Sequence, residues 1–402
     1  MLKSRMLLFG LVSMFITICT SGFARMSYGI LMPFMKDSLS LTYKQAGMLG
    51  TSTALGYLGM VLFVGIMTSK WGSKRLIIIG TFFVAAGLMY LYVVNDFLTS
   101  LIGMVVLGVG TAFVYTPMIN LLVGWFPQNR GVMIGFAISG MGLGTLISSM
   151  LVPHFTSWFA DDGWRYLWLL FGILSIAMGI IGAKTLEDAP NSENQRDTGG
   201  VSIVQDVYFH KGVLLVGFMY GLLGFAYLIP QSFLFSYIME SGMNRHSAGQ
   251  IMALGGLMSI VSGPLWGAIS DKIGRKRALL INLFIAGISI LIPIFLPVLS
   301  CFFISQFLWG LTFIGMLSLS QALSTEQIDE FYAPIALGYV TIFFGVGQIL
   351  GPGLGGIIID RFGSIPAALW LCFGLIAAAF LLGTRLAKAE IREWQNVKEH
   401  SS

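Results

Sequence analysis

An arginine lies deep inside the first apolar run of this 402-residue sequence. Arg25 precedes the next basic residue, Lys36, by eleven positions, which correspond to about 16 Å along an α-helix. An arginine side chain reaches only about 6–7 Å, so its charge would not arrive at the end of the run. Such a guanidinium either binds an anion in a wet cavity or is tied structurally to backbone carbonyls. We expect anion binding.

Polar residues surround this position in the sequence pattern. Ser21 and Tyr28 lie four residues before and three after Arg25, so they share its face in a continuous α-helix. Shifting the sequence on itself by 202 residues places Tyr227 opposite Arg25, and Gln231 lies on the same stripe as Tyr227. We predict that these side chains line a substrate site. The alternative for each one alone is ordinary packing between helices.

Several kinds of site are absent from the pattern. No aspartate or glutamate lies deep inside an apolar run, whereas proton relays and sites for cationic drugs usually depend on an embedded carboxylate. His154 could titrate near neutral pH, but its place near the outer end of its run favours an interface residue over a coupling role. No metal-ligand spacing, nucleophile–base pair or phosphate loop is present, so we expect neither an enzyme nor a cofactor.

The composition is that of an integral membrane protein. Hydrophobic residues make up 56% of the chain and charged residues only 10%, whereas a soluble domain carries about 25% charged residues. Twelve apolar runs are long enough to span about 30 Å of hydrocarbon, and in lipid they can only be helical. The predicted helices are 6–35, 45–68, 76–94, 98–125, 131–155, 165–184, 212–239, 247–269, 278–297, 299–324, 334–359 and 367–386.

Basic residues orient these helices. With the N-terminus inside, seventeen of the 23 lysines and arginines fall in cytoplasmic segments and only five outside. We therefore predict a multi-pass protein of a bacterial inner membrane with both termini cytoplasmic, whose first run is a span and not a cleaved signal peptide. The net charge of +5 reflects this bias, not a nucleic-acid partner.

An internal repeat divides the chain. The shift of 202 residues aligns Gly-Phe-Ala at 22–24 with the same triplet at 224–226. It also aligns the segment 65–75 (GIMTSKWGSKR) with 267–277 (GAISDKIGRKR). We predict two pseudo-symmetric six-helix bundles, 1–184 and 211–386, joined by a polar cytoplasmic linker, 185–210, and followed by a cytoplasmic tail, 387–402.

The repeated segment resembles the signature of the major facilitator superfamily in the loop after helix 8, with a degraded copy after helix 2. This resemblance implies a transporter fold with a substrate site between the halves, and a cytoplasmic gate in which these segments pair. The implied gating residues are Gly65, Ser69, Arg75, Gly267, Asp271, Gly274 and Arg275. Because Ser69 stands where the acid is expected, we propose that Glu326, Asp329 and Glu330 face Lys70, Lys74 and Arg75 instead, the alternative being solvated loop charges.

Two further stretches suggest a branch of the superfamily. WFPQNRG at 125–131 resembles the carboxylate-transporting branches, which include the monocarboxylate and oxalate–formate transporters, and GFARMSYG at 22–29 is similar to the YbfB/YjiJ group. Helices 1, 4, 7 and 10 line the cavity in such families. By that resemblance the further candidate site residues are Tyr115, Asn120, Gln306 and Trp309, each with interhelical packing as its alternative.

These observations favour a secondary active or facilitative transporter that moves a small organic anion, most plausibly a carboxylate, by alternating access. The coupling partner would be a proton or an exchanged anion, and we expect a monomer. The alternative is an exporter of neutral or amphiphilic molecules in which Arg25 is structural.

Overall fold

The computed structural model describes residues 2–189, 207–328 and 332–386. Within these ranges twelve helices are long and apolar enough to cross a membrane, which confirms the predicted number and the all-α class. Asp329 and Glu330, most of the predicted linker and all of the predicted tail lie outside the described residues. The predicted domain boundaries and the gating role of Asp329 therefore stay predictions.

The helices follow one another with short connections. The first six are α1 (Leu2–Thr17, Ile18–Met26 and Tyr28–Ser38), α2 (Tyr43–Trp71), α3 (Ser73–Val93), α4 (Phe97–Trp125), α5 (Arg130–Trp158) and α6 (Gly163–Thr185). The second six are α7 (Lys211–Glu240), α8 (Arg245–Ile273), α9 (Arg275–Phe295), α10 (Leu299–Thr325), α11 (Ala333–Phe362) and α12 (Ile365–Arg385).

Local chemistry fixes several helix ends. The Asp96 carboxylate accepts a hydrogen bond from the Thr99 backbone N–H at 2.9 Å and so caps α4, and this bond lowers the pKa of the carboxyl group. Gly72 and Gly274, 202 residues apart, end α2 and α8 with φ of 81° and 86°, values that favour glycine. The repeat in the sequence is therefore a repeat in backbone geometry.

The first span differs from the prediction of one continuous α-helix. Its middle part, Ile18–Met26, is a π-helix, and a bend at Ser27 separates it from the α-helix that begins at Tyr28. π-Helical segments are rare and occur frequently at functional sites. Arg25 lies in the last turn of this segment, next to the bend that separates it from Tyr28.

The two halves are built alike. In the first half α4 packs against α2 and α3, and α3 packs against α6, while in the second half α10 packs against α8 and α9, and α9 against α12. The halves meet mainly where α2 packs against α11 and α5 against α8, with a smaller contact between α1 and α7. These contacts place the first parts of both repeats, α1 and α7, at the centre of the molecule.

The halves are closed at one end. We call the end with Arg5, Lys74 and Arg277 the basic side and the other end the opposite side. On the opposite side the Asp360 carboxylate of α11 accepts hydrogen bonds from the backbone N–H groups of Tyr43, at 3.0 Å, and Lys44, at 2.8 Å. Asp360 therefore caps α2 across the interface between the halves.

The interface between α5 and α8 is closed on the opposite side by an arginine. Arg245 Nη1 of α8 donates a hydrogen bond of 2.7 Å to the carbonyl oxygen of Thr156 in the last turn of α5, where the helix dipole attracts a cation. Deeper in the same interface a Cβ at Gly142 would lie 2.6 Å from Ser259 Oγ, so only glycine permits this approach of α5 and α8.

Among the described residues, the hydrogen bonds that join the halves lie at mid-span or on the opposite side. Towards the basic side, no atom of a neighbouring helix lies within 4 Å of a Cβ placed at Gly65, Gly135, Gly267 or Gly338. The halves are thus closed on the opposite side and apart on the basic side.

Candidate substrate site between the two halves

Arg25 is half-buried at the centre of the molecule and has only neutral partners among the described residues. Its Nη2 donates a long hydrogen bond of 3.4 Å to Gln348 Oε1 of α11, and its Cζ lies 4.7 Å from the ring centroid of Tyr57 on α2. In the described part of the chain no carboxylate lies within 4.0 Å of it. A partly buried charge without a counter-charge is costly, so this guanidinium is poised to take an anion.

The Gln348 amide links Arg25 to Tyr227. Gln348 Nε2 donates a hydrogen bond to the hydroxyl oxygen of Tyr227, while its Oε1 accepts from Arg25. The structure thus brings Arg25 and Tyr227 together, as the repeat predicts, but through a residue of α11. Tyr227 and Gln348 are both buried.

A narrow cavity borders Arg25. It is lined by Arg25, Tyr28, Thr53, Gln231, Ser232 and Pro352, among others. The Tyr28 hydroxyl donates to the Ala46 carbonyl of α2 at 2.6 Å, and Gln231 Nε2 donates to the Met26 carbonyl at 2.9 Å. Two of the predicted site residues therefore lie beside Arg25, with their polar atoms engaged by backbone.

A second narrow cavity lies between α5, α8 and α10. Its lining includes Met26, Met141, Met252, Gln306, Trp309 and Phe313, and Gln231 lines both cavities. Gln306 and Trp309, predicted from the family resemblance, thus border a cavity that shares a wall with the Arg25 cavity. We call this second space the aromatic cavity.

The remaining predicted residues take different positions. Tyr115 is half-buried and lies within electrostatic range of Arg25. Ser21 is buried in the π-helical segment, and Asn120 is exposed towards the basic end of α4, so neither lines the two cavities. For Ser21, which is buried, this position fits the alternative of packing between helices.

Comparison with known sequences identifies the family. The profile described as "Uncharacterised MFS-type transporter YbfB" matches residues 17–385. The chain belongs to this family of major facilitator transporters. The match confirms the resemblance seen in the sequence.

Individual relatives of this transporter are distant. Monocarboxylate transporter 12 of Xenopus laevis is 25% identical over 74% of this chain and 69% of its own length. The hexuronate transporter of Bacillus subtilis (strain 168) is 22% identical over 90% of both chains. These relatives are transporters and not enzymes, as predicted.

Solved structures share the fold. A mutant of the nucleoside transporter NupG matches with a TM-score of 0.79 and 15% identity, over 95% of this chain and 98% of that one. A bacterial homologue of the human lysosomal transporter Spinster matches with a TM-score of 0.75 and 16% identity, over 95% of both chains. The likeness confirms the fold of a multi-pass membrane transporter.

Two residues of the candidate site in this YbfB-type transporter were not predicted from the sequence. Tyr57 and Gln348 lie on α2 and α11, outside the helices from which candidates were drawn. One signal for Gln348 was available, because an amide in the middle of an apolar span is costly unless it is hydrogen-bonded. Tyr57 had no comparable signal, since its contact with Arg25 depends on how α2 packs beside α1.

The segments predicted to form the gate of the transporter do not meet in this structure. Arg275 forms an ion pair with Glu326 at 3.1 Å and donates to the Ala322 carbonyl at 3.3 Å, both within the second half. Glu326 therefore does not face Lys70, Lys74 or Arg75 here, contrary to expectation. The halves are apart on this side, which leaves Asp271 and Arg75 exposed.

Another acid caps the helix beside Ser69. Ser69 Oγ donates to the Ile66 carbonyl of its own helix at 2.8 Å and caps no helix. The Asp188 carboxylate instead accepts a hydrogen bond of 2.7 Å from the Lys74 backbone N–H at the start of α3. Asp188 thus supplies the negative charge at this helix start that Ser69 lacks.

His154 lies away from the site. It is exposed near the end of α5 on the opposite side, where its ring centroid is 5.1 Å from that of His246 on α8. An exposed position near the end of a span is the one expected of an interface residue.

Proposed function

We propose that this transporter moves a small organic anion, a carboxylate, across the membrane by alternating access. The observation that carries the proposal is the position of Arg25, which borders a cavity between the halves and has only neutral partners among the described residues. The relatives named as monocarboxylate and hexuronate transporters support the same substrate class.

A carboxylate would replace a weak contact by a strong one. The hydrogen bond from Arg25 to Gln348 is long, at 3.4 Å, and its acceptor is neutral. A carboxylate accepts two parallel N–H bonds from a guanidinium, and such charge-assisted bonds are roughly twice as strong as neutral ones. The released Gln348 oxygen could then accept a hydrogen bond from a hydroxyl of the substrate.

Alternating access would exchange contacts at the two ends of the molecule. The contacts of Asp360 and Arg245 on the opposite side would break as the segments 65–75 and 267–277 come together on the basic side. By the distribution of lysine and arginine, the basic side would face the cytoplasm of a bacterial cell, with both termini there. A proton carried on the substrate's own carboxyl group, or an exchanged anion, would couple transport without an embedded acid.

Ligand-dependent thermal stability of the purified protein tests the proposal, because a ligand that binds only the folded state raises that stability. The proteins compared are the wild type, Arg25→Gln and Arg385→Gln, a matched loss of charge at an exposed helix end. We expect carboxylates to stabilise the wild type and Arg385→Gln but not Arg25→Gln. If neutral amphiphiles stabilise all three proteins equally and carboxylates stabilise none, the anion proposal is wrong and export of neutral compounds takes its place.

A further inference from the structure

The aromatic cavity borders a row of neighbouring aromatic rings. Trp309 and Phe313 line it with centroids 6.4 Å apart at 23°. Phe313 lies 5.3 Å from Tyr227, which stacks on Phe344 at 5.5 Å and 4°. Because Tyr227 also binds Gln348, the row runs from the aromatic cavity to the partner of Arg25.

Three methionines belong to the apolar part of the lining, and the polar part comes from Thr145, Gln231, Ser259 and Gln306. Met26, Met141 and Met252 come from α1, α5 and α8 and border the same cavity as Trp309 and Phe313. Thioethers adapt to irregular apolar shapes and make favourable contacts with aromatic ring edges. A flat apolar body therefore suits this cavity better than a hydroxylated one.

Gln231 separates the aromatic cavity from the Arg25 cavity. It lines both spaces, and its amide donates to the Met26 carbonyl at 2.9 Å. Both cavities are narrow in this conformation, with room for about one water molecule each. Rotation of the Gln231 side chain off Met26 would join them into one elongated space, charged at one end and aromatic at the other.

We propose that the transported anion is an aromatic carboxylate, with its carboxylate on Arg25 and its ring against Trp309 and Phe313. This inference rests on the proposed function and narrows it. A short aliphatic acid would leave the aromatic cavity empty, and a sugar acid would place hydroxyl groups against the methionines and rings, where polar partners are few.

Carboxylates that differ in the group attached to the carboxyl carbon test the inference through their affinities, measured by calorimetry. The probes are benzoate, cyclohexanecarboxylate, acetate and glucuronate, with benzamide as the uncharged analogue. We expect wild type to bind benzoate about five- to tenfold more tightly than cyclohexanecarboxylate, because only a flat ring stacks. Acetate, glucuronate and benzamide should bind more weakly still.

Variants of the cavity show where the ring of the bound acid lies, and they distinguish the aromatic inference from the organic-anion proposal. Trp309→Leu and Phe313→Leu should lose the preference for benzoate, whereas the conservative Trp309→Phe should keep most of it. Phe284→Leu, at an exposed position on α9, is the matched control and should change nothing. If aliphatic and sugar acids bind as tightly as benzoate and need Arg25, the aromatic inference is wrong while the organic-anion function stands. If no carboxylate binding depends on Arg25, both are wrong.

Discussion

Arg25 and Tyr227 occupy equivalent positions in the two halves, 202 residues apart, and the Gln348 amide binds both of them. The equivalence is geometric but not chemical, since one half contributes a cation and the other a neutral phenol. Such a pair gives a pseudo-symmetric cavity a charged end and a neutral end. An anion bound between these ends would be oriented with its charge towards Arg25.

Gln348→Glu would place a carboxylate where the amide oxygen now accepts from Arg25. The new ion pair would compete with the substrate anion for the guanidinium. We expect carboxylate affinity, measured by calorimetry, to fall at least about tenfold, while the protein keeps the heat stability of wild type. Gln250→Glu makes the same change at an exposed site on α8 and should bind normally. Unchanged affinity in Gln348→Glu would mean that Arg25 does not hold the anion.

The Tyr57 ring holds Arg25 through its face and not through its hydroxyl group. The Cζ-to-centroid distance of 4.7 Å is that of a cation–π contact. Tyr57→Phe should therefore bind carboxylates within about twofold of wild type, whereas Tyr57→Leu should bind them roughly five- to thirtyfold more weakly. Equal losses in both variants would assign the effect to the hydroxyl group.

The helices and the repeat could be predicted because the membrane leaves few choices. An apolar run of about 20 residues must be a helix in lipid, and the shift of 202 residues relates Arg25 to Tyr227 without any coordinates. The depth of Arg25 also follows from counting residues along the run.

The rest of the site depends on packing that periodicity does not encode. The hydrophobic pattern encodes neither the π-helical segment at Ile18–Met26 nor the bend at Ser27. Gln348 reaches Arg25 because α11 packs against α7. Tyr57 reaches Arg25 because α2 packs beside α1. Likewise, Asp360 lies more than 300 residues from Tyr43, and no local spacing relates them.

Asp188 is expected to stabilise the start of α3. It caps the Lys74 backbone N–H at 2.7 Å, and loss of such a cap costs about 0.5–2 kcal/mol. Asp188→Ala should lower the free energy of unfolding by that amount in chemical denaturation. Adding Ser69→Asp restores an acid at the neighbouring position and should recover part of the loss, while Ser69→Ala in the same background should not. Full stability of Asp188→Ala alone would contradict the capping role.

Asp360 is expected to hold the opposite side closed. Its carboxylate accepts two backbone hydrogen bonds from the other half, and hydrogen bonds to a charged group contribute about 1.5–3 kcal/mol each. Asp360→Ala should therefore shift the population at least about tenfold towards the conformation open on the opposite side. The measurement is the rate at which a cysteine at position 232 reacts with a membrane-impermeant maleimide added from the opposite side. This cysteine replaces a serine that is buried beside Arg25. The native residues Cys19, Cys301 and Cys372 are first replaced by alanine.

The matched control for the contact between Asp360 and the start of α2 is Asp96→Ala. Asp96 caps α4 by the same chemistry, through the Thr99 N–H at 2.9 Å, but within one half. Its loss should lower stability and leave the labelling rate at position 232 unchanged. Faster labelling in both variants would show that general loosening, and not the contact between halves, exposes the site. Unchanged labelling in Asp360→Ala would mean that the packing of α2 against α11 and of α5 against α8 keeps the opposite side closed without this cap.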